Sequence, residues 1–270
     1  TWLGAGFGGD EWNDYWDERY HLQDVLDNYN GSVYIVWGMQ DWNVDPYHAF
    51  PTHELLRQQG INVRTIAGQW AHNYPDQPDR HSEVTSGYGA EAYPNMTRFD
   101  WAVELFPWFE FYLKGIGDEP ESYVQMQRND GRWHLEETWP PEDISIMQVP
   151  GDGGNQRVSS TSGGFEITLE ISDGPIHISG LPTLHTDVST GLCNGGQLFV
   201  TMKDGESGLR LGHATMDVRY RDGGYESKPT ASLSSYRMLM EFNPMDVIVP
   251  SGILTLQFSE SGEDYIPSPC

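Results

Sequence analysis

The hydrophobic pattern of this chain changes at about Gly117, and that change limits the folds open to it. Before Gly117, short apolar runs that end in glycine alternate with segments whose apolar residues recur at helical spacing. After Gly117 the helical spacing stops, and short strand-like runs recur between turns. Strands that alternate with helices predict a parallel sheet covered by helices, whereas many short strands in succession predict a β-sandwich or jelly roll. We therefore expect two domains, residues 1–117 and residues 118–270.

Two strands and two helices are predicted in the first domain. The runs Val33–Trp37 and Ile61–Ala67 each stop at a glycine and are typical of buried strands. Residues 52–59 lie between them and predict a helix. Residues 99–114 are apolar at helical spacing, but Pro107 lies inside them and is expected to kink that helix or divide it in two. This order predicts parallel strands joined by a helical crossover.

Strand-like runs dominate the second domain. They lie at residues 123–127, 144–149, 165–171, 176–179, 197–203, 214–220, 237–242 and 253–258. Turn sequences rich in Asn, Asp and Gly separate them, at residues 129–131, 172–174 and 222–224. The Gly/Ser-rich residues 151–164 predict a surface loop. Short strands at this spacing indicate an all-β domain of the jelly-roll type.

Asp41 and His72 follow the two predicted strands of the first domain. Functional groups of an open parallel sheet lie in the loops just beyond the carboxyl ends of its strands, so we expect these two side chains to meet at one edge. An Asp followed by a His is also the order of the last two triad members in α/β-hydrolases. In a triad, the His accepts the serine proton and the carboxylate fixes the imidazole tautomer. Asp41 and His72 are therefore candidates for acid and base.

Other residues compete for these roles. Asp45 lies four residues after Asp41, but it precedes Pro46 and is more typical of the start of a helix. His81 competes with His72, but it lies in a polar loop with no strand before it. An isolated Asp after a strand commonly caps a helix, and an isolated His in a loop is commonly a surface or core residue. The joint placement after consecutive strands favours the catalytic interpretation.

The charge of the chain excludes two classes of partner. Forty acidic residues against fifteen basic ones give a formal net charge of -25. Nucleic acids and anionic membranes bind proteins through Lys and Arg, so neither is predicted as a partner. No apolar run approaches the ~20 residues that a membrane-spanning helix needs.

No metal or other cofactor is predicted. His48 and His53 lie five residues apart, which does not place them on one helix face, and no carboxylate completes a zinc site there. Cys193 and Cys270, the two cysteines, are spaced too widely to form a thiolate ligand set. One disulfide between them is open to the chain, although Cys270 at the end of the sequence is more typical of a free thiol.

Short motifs spread along nearly the whole chain carry a family resemblance. Asp14–Arg19 and Gly38–Val44 resemble the matching region of Xaa-Pro dipeptidyl-peptidases, and the Gly-x-Trp-x-His sequence that ends at His72 resembles cocaine esterase. Further segments resemble the last helix of the hydrolase domain of this family and successive parts of its jelly roll. These are Phe111–Gly115, Asn129–Trp133, Trp139–Pro141, Ile178–Pro182 and Pro244–Gly252.

The resemblance implies the C-terminal portion of an α/β-hydrolase followed by a jelly-roll sandwich. It implies that Asp41 is the triad acid and His72 the triad base. Trp42 and Asn43 are expected to line the acyl or amine pocket, with plain packing the alternative for Trp42. The family nucleophile lies upstream in a Gly-x-Ser-x-Gly turn, and that pattern does not occur in this sequence. We therefore expect a piece of a longer enzyme that is inactive by itself; the alternative is that the serine is supplied by another chain.

Three functions follow from these interpretations. The first is release of Xaa-Pro dipeptides through an acyl-serine intermediate, because Asp14–Val44 resembles the peptidases more than the esterases. The second is hydrolysis of small esters or amides by an esterase or acylase. The third is a non-catalytic, carbohydrate-binding β-sandwich, which leaves Asp41 and His72 unexplained. A homo-oligomer, and either a cytoplasmic or a secreted location, are compatible with the sequence.

The excess of acidic residues yields a prediction about salt. A surface with a net charge of -25 repels itself and destabilises the compact state. Salt screens this repulsion, because the Debye length falls from ~10 Å at 0.1 M to ~3 Å at 1 M. We expect the melting temperature of the full-length protein, if it is similarly acidic, to rise steadily between about 0.1 M and about 2 M NaCl. A flat or falling melting temperature would reject the hypothesis that the acidic surface is an adaptation to high salt, and it would leave the hydrolase assignment untouched.

Overall fold

The computed structural model describes residues 12–41, 44, 46, 49–70, 72, 74–76, 98–152, 154–158, 163–223 and 226–262, and the structural statements below concern those residues. The first elements are α1 (Asp14–Asp17), α2 (Leu22–Asn28), β1 (Ser32–Gly38), α3 (Ala49–Gln58), β2 (Asn62–Gly68), α4 (Trp101–Lys114), β3 (Val124–Gln127) and β4 (Trp133–Glu136). They are followed by β5 (Phe165–Glu170), β6 (Ile176–Gly180), β7 (Thr183–Ser189), β8 (Gln197–Asp204), β9 (Arg210–Asp217), a 3-10 turn (Val218–Tyr220), β10 (Ser235–Glu241), β11 (Met245–Val249) and β12 (Ile253–Ser259).

Strands β1 to β4 form one sheet in that order, which we call the mixed sheet. β1, β2 and β3 are parallel, and β4 runs antiparallel to β3. β1 pairs with β2 along its whole length, with Ser32 opposite Asn62 and Gly38 opposite Gly68. Both strands therefore end at the same level, and the loops that follow them start side by side.

The predicted strands and helices of the first domain are confirmed, with two differences. α4 continues through Pro107 as a single helix. Its one buried residue, Trp108, packs edge-on against Tyr34 of β1 with ring centroids 5.4 Å apart, and this contact holds the helix on the sheet beyond the proline. The short helices α1 and α2 are absent from the prediction; they span four and seven residues and contain no buried residue, although Leu26 of α2 packs against the core cluster of Leu56, Ile61 and Val63.

The mixed sheet continues past the expected domain boundary at residue 117. Val124 and Met126 of β3 are fully buried and share a core cluster with Met39 and Ala67. Trp139 belongs to the same cluster and stacks on Phe50 at 4.1 Å between ring centroids. Val124, Met126 and Trp139 therefore pack with the first part of the chain. A short strand-like run does not reveal which sheet it joins, and this is why residues 123–127 were assigned to the second domain.

Strands β5 to β12 are all antiparallel, and we call them the antiparallel unit. β5, β12, β8 and β9 form a four-stranded sheet in that order, while β10 pairs with β7 and β11 pairs with β6. Alternate residues of β12 point inward, so that Leu254, Leu256 and Phe258 join one core cluster with residues of β8 to β11. The prediction of an all-β second part is confirmed for the described residues.

Individual strands of this unit differ from the prediction. Residues 144–149 form no strand, and Ile146 is 91% exposed, because this apolar run has no core to face. β7 and β11 are absent from the prediction, and so is β4 of the mixed sheet. The run 214–220 corresponds instead to the end of β9 followed by the 3-10 turn. Apolar periodicity marks strands that face a core, and β7 alternates mostly polar residues with few apolar ones.

The loop between β7 and β8 contains Cys193, which is disulfide-bonded. The expectation of free thiols is therefore wrong. The carbonyl oxygen of Cys193 also accepts hydrogen bonds from the hydroxyls of Thr190 at 3.0 Å and Thr230 at 3.2 Å. These contacts fix the loop against the residues that precede β10.

The mixed sheet and the antiparallel unit are joined by polar contacts to β11. The side-chain amide of Asn129 donates to the carbonyl of Ile248 at 2.9 Å and accepts from its backbone N–H at 2.8 Å. Asp246 is fully buried and lies between His134 of β4, at 2.9 Å, and His177 of β6. Burial opposes ionisation of Asp246, but the contacts with His134 and His177 outweigh it and hold the pKa of Asp246 below its ordinary value. Asp246 in turn raises the pKa of His134.

No helix among the described residues is long and apolar enough to cross a bilayer. No group of three or more His, Cys, Asp or Glu suited to a metal ion occurs in the described ranges either. His53, one of the two histidines considered as ligands, is buried on α3 with Nδ1 2.8 Å from the hydroxyl of Thr65. His48 lies outside the described residues.

Burial of His53 predicts a loss of stability in acid. Burial lowers the pKa of His53 from 6.5 to about 4, so between these values the unfolded chain binds a proton that the folded chain does not. The stability contributed by neutral His53 is thus complete above pH 6.5 and is lost as the pH falls towards 4. His53→Gln should reduce the slope of unfolding free energy against pH in this window by up to about 1.4 kcal/mol per pH unit.

Denaturant titrations at several pH values measure this slope. His185→Gln, a change of the same kind at an exposed position of β7, serves as the control and should leave the slope unaltered. An equal slope in His53→Gln and in the unmodified protein would contradict the assignment of a buried neutral imidazole.

Candidate active site

The loops after β1 and β2 are held together by backbone hydrogen bonds beyond the ends of both strands. The N–H of Met39 donates to the carbonyl of Gly68 at 2.8 Å, and the N–H of Gln40 donates to that of Trp70 at 2.9 Å. The chain then turns, with the N–H of Asp41 bonded to the carbonyl of Gly38 at 3.2 Å. These bonds bring the Asp41 loop directly beside the loop that contains His72.

The two predicted triad residues contact each other. Nδ1 of His72 lies 2.9 Å from Oδ2 of Asp41. An ionised carboxylate only accepts hydrogen bonds, so Nδ1 carries the proton and Nε2 of His72 is left as an acceptor. The side chain of Asp41 is 8% exposed and that of His72 is 53% exposed. The carboxylate is therefore shielded, while the imidazole faces the surface, where a reacting group can approach it.

The second oxygen of Asp41 is also bonded. Oδ1 accepts the backbone N–H of Val44 at 3.0 Å, which closes a tight turn after the strand. A carboxylate held through both oxygens cannot rotate freely, so its orientation towards the imidazole is fixed. This turn supplies the structural role expected of an Asp after a strand, and the catalytic interpretation adds to that role.

Trp70 fixes the start of the His72 loop. Its side chain is fully buried against Ile66, and its ring centroid lies 5.8 Å from that of Trp133 on β4. The indole lies across Gly68, where a Cβ would come within 2.4 Å of the ring. Glycine at position 68 is therefore needed for Trp70 to occupy this site.

Sequence reasoning missed three buried glutamines at the same edge of the sheet. Gln40 and Gln69 follow β1 and β2, and Gln127 is the last residue of β3. They are 6%, 2% and 1% exposed, respectively. In the sequence each is a polar residue at or near the end of a buried strand, and because polar residues at such positions usually reach solvent, this signal does not distinguish them.

Four residues considered as site residues lie outside the described residues. Trp42 and Asn43, expected in the substrate pocket, are two of them, and their role stays a prediction. Asp45 and His81, the rivals of Asp41 and His72, are the other two. The contact between Asp41 and His72 supports the original pair without testing the rivals.

No protein-family model matches the chain. A Bacillus anthracis protein provisionally named Xaa-Pro dipeptidyl-peptidase is 28% identical over 131 residues, which is 48% of this chain and 18% of that protein. The Xaa-Pro dipeptidyl-peptidase of Ligilactobacillus salivarius is 22% identical over 167 residues, which is 60% of this chain and 18% of that protein. The chain is related in sequence to Xaa-Pro dipeptidyl-peptidases. The resemblance predicted from the motifs is thereby confirmed.

Solved structures share the fold of this chain. An aminopeptidase from a marine sediment Thaumarchaeota archaeon superposes with a TM-score of 0.68 at 15% identity, over 93% of this chain and 51% of that one. A CocE/NonD family hydrolase from Staphylococcus aureus gives a TM-score of 0.67 at 13% identity, over 98% of this chain and 52% of that one. The chain thus spans about half the length of these structures, and its fold corresponds to part of a CocE/NonD-type hydrolase.

The packing of Trp70 predicts a cost for a methyl group at position 68. Gly68→Ala should place a Cβ against a buried ring and destabilise the protein by about 1–3 kcal/mol, because such overpacking forces the indole or the strand to move. Gly174→Ala is the matched control, since no atom lies within 4 Å of a Cβ at that position. Unfolding in denaturant measures both, and equal losses in the two variants would show that the Trp70 contact does not constrain residue 68.

Proposed function

We propose that this chain is the C-terminal part of a serine hydrolase in which Asp41 and His72 are the acid and the base of the catalytic triad. The observation that carries this proposal is the 2.9 Å contact between His72 Nδ1 and Asp41 Oδ2 at the carboxyl ends of adjacent parallel strands. The relationship to Xaa-Pro dipeptidyl-peptidases supports it. The Gly-x-Ser-x-Gly pattern does not occur in this sequence, so the nucleophilic serine is proposed to lie on a segment outside it.

The mechanism follows from the tautomer of His72. As the serine oxygen attacks the substrate carbonyl, Nε2 of His72 takes its proton, and Asp41 stabilises the imidazolium that forms. His72 then gives the proton to the leaving amine or alkoxide, and an acyl-serine remains. A water molecule, deprotonated by Nε2, attacks the acyl carbon and releases the acid. His72 returns the proton to the serine oxygen, so that atoms and charges balance over the cycle.

The substrate that we propose is a peptide with proline in second position, from which an Xaa-Pro dipeptide is released. The names of the relatives and the resemblance of Asp14–Val44 to the peptidases support this choice. Trp42 and Asn43, directly after the triad acid, are proposed to line the acyl or amine pocket. The antiparallel unit is proposed to be a jelly roll.

An esterase or acylase is the second candidate. It is favoured by similarity in fold to an α-amino acid ester hydrolase, which gives a TM-score of 0.67 at 14% identity over 99% of this chain. The non-catalytic carbohydrate-binding alternative leaves the Asp41–His72 contact without a role. Assays of the complete gene product with a Gly-Pro chromogenic amide and a short-chain ester separate these candidates. Turnover of the amide supports the peptidase, turnover of the ester alone supports the esterase, and turnover of neither rejects both.

Removing either triad residue should abolish most of the activity. In the complete enzyme, Asp41→Asn and His72→Ala should each lower kcat on the order of 10⁴-fold while the circular dichroism spectrum stays unchanged, because the serine loses its base or the correct tautomer of that base. Asp187→Asn and His185→Ala, at exposed positions of β7, are matched controls and should retain full activity.

Two outcomes would overturn the assignment. Near-normal turnover in a folded Asp41→Asn or His72→Ala variant would remove that residue from the mechanism. Activity that is lost in Asp45→Asn but kept in Asp41→Asn would move the role of the acid to Asp45.

A further inference from the structure

Three buried glutamines form a row along the edge of the mixed sheet that carries Asp41 and His72. We call Gln40, Gln69 and Gln127 the glutamine row. Each lies at the end of one of the three parallel strands, so their side chains are neighbours at the same edge. Buried amides are costly unless they are hydrogen-bonded, so the partners of these side chains decide what the row does.

Hydrogen bonds join each member of the glutamine row to its neighbour. Nε2 of Gln40 donates to Oε1 of Gln69 at 3.0 Å. Nε2 of Gln69 donates to the carbonyl of Gln127 at 2.9 Å, and the backbone N–H of Gln69 donates to Oε1 of Gln127 at 3.2 Å. Gln69 is therefore the central member, with bonds to both of its neighbours.

The row connects the loops that carry the two triad residues. Gln40 directly precedes Asp41, and Gln69 lies three residues before His72. The side-chain hydrogen bond between Gln40 and Gln69 thus crosses between the two loops, next to the backbone hydrogen bond from Gln40 to Trp70. Loss of the Gln40 amide would leave Oε1 of Gln69 buried without the donor that it has now, which costs about 1–3 kcal/mol unless the loops move apart to admit water.

The row also contacts the antiparallel unit. Nε2 of Gln40 lies 3.5 Å from the carbonyl of Leu211 on β9, and Nε2 of Gln69 lies 3.4 Å from that of Asp246 on β11. Asp246 is the buried residue that His134 of β4 contacts through its carboxylate. The same edge of the sheet is therefore in contact with both the triad loops and the second unit.

We propose that Gln40 and Gln69 are positioning residues, which set the separation between the loops of Asp41 and His72 and tie both loops to the antiparallel unit. This inference rests on the proposed function, because it assumes that the Asp41–His72 pair is catalytic. The alternative is that the amides satisfy one another in the core and have no influence on the triad.

Kinetics of the complete gene product test the proposal. Gln40→Met and Gln69→Met keep the length of the side chain and remove its hydrogen bonds. Each should lower kcat about 10–100-fold with little change in KM, because a small displacement of a catalytic group slows the chemical step more than it weakens substrate binding. The double variant should lower kcat by less than the product of the two single effects, since both changes break the Gln40–Gln69 hydrogen bond. Gln257→Met on β12 is the matched control and should keep wild-type kcat.

A second measurement does not depend on activity. In the complete gene product labelled with ¹⁵N-histidine, His72 should show the tautomer protonated at Nδ1, and Gln40→Met should shift it towards the tautomer protonated at Nε2. Gln40→Met leaves the bonds between Gln69 and Gln127 in place, so it remains informative if Gln69→Met does not fold. Gln257→Met should leave the tautomer unchanged.

The kinetic measurement and the tautomer measurement together distinguish failure of this inference from failure of the proposed function. An enzyme that turns over neither substrate class but shows the shift in tautomer would reject the proposed function, while it would still show that Gln40 sets the geometry of the Asp41–His72 contact. Unchanged kcat together with an unchanged His72 tautomer in Gln40→Met would overturn the positioning role and leave the triad assignment standing.

Discussion

The in-register pairing of β1 with β2 is the constraint on which the rest of this structure depends. Because Gly38 lies opposite Gly68, the two strands end together and their loops leave the sheet side by side. Backbone bonds from Met39 and Gln40 extend this pairing beyond the strands. A shift of one residue would move Asp41 and His72 to different levels and would turn every side chain of the shifted strand to the other face. The contact between Asp41 and His72 is thus a consequence of strand register.

Burial around this edge explains why the pair is held in one geometry. Trp70 fills the space behind the His72 loop, and Gly68 leaves room for its ring. The glutamine row links the two loops by hydrogen bonds. The carbonyls of Asp246 and Leu211 contact the same glutamines, so the antiparallel unit lies against this edge of the sheet. A unit that shares no strand with the mixed sheet therefore contacts the edge at which Asp41 and His72 meet.

The sequence predicts those features that are encoded locally. The strands that precede Asp41 and His72 are short apolar runs ended by glycine, so the position of these strands and the contact between the two residues could be expected. Features that depend on distant contacts could not. In the sequence the three glutamines are ordinary polar residues, and only the pairing of β1, β2 and β3 brings them together. The sequence around Val124 is typical of a β-domain, but in the structure Val124 belongs to the same core cluster as Ala67. Conversely, residues 144–149 have the composition of a strand but no core to cover. Pairing partners, and not composition, decide these cases.

The central claim is that Asp41 and His72 serve a serine on a segment outside this sequence. The most direct measurement is a crystal structure of the complete gene product after reaction with a fluorophosphonate, which bonds covalently to an activated serine. We predict a single modified serine that precedes this sequence in the gene product, with its Oγ about 3 Å from Nε2 of His72. A modified residue within this sequence, or a modified serine that does not face His72, would contradict the account.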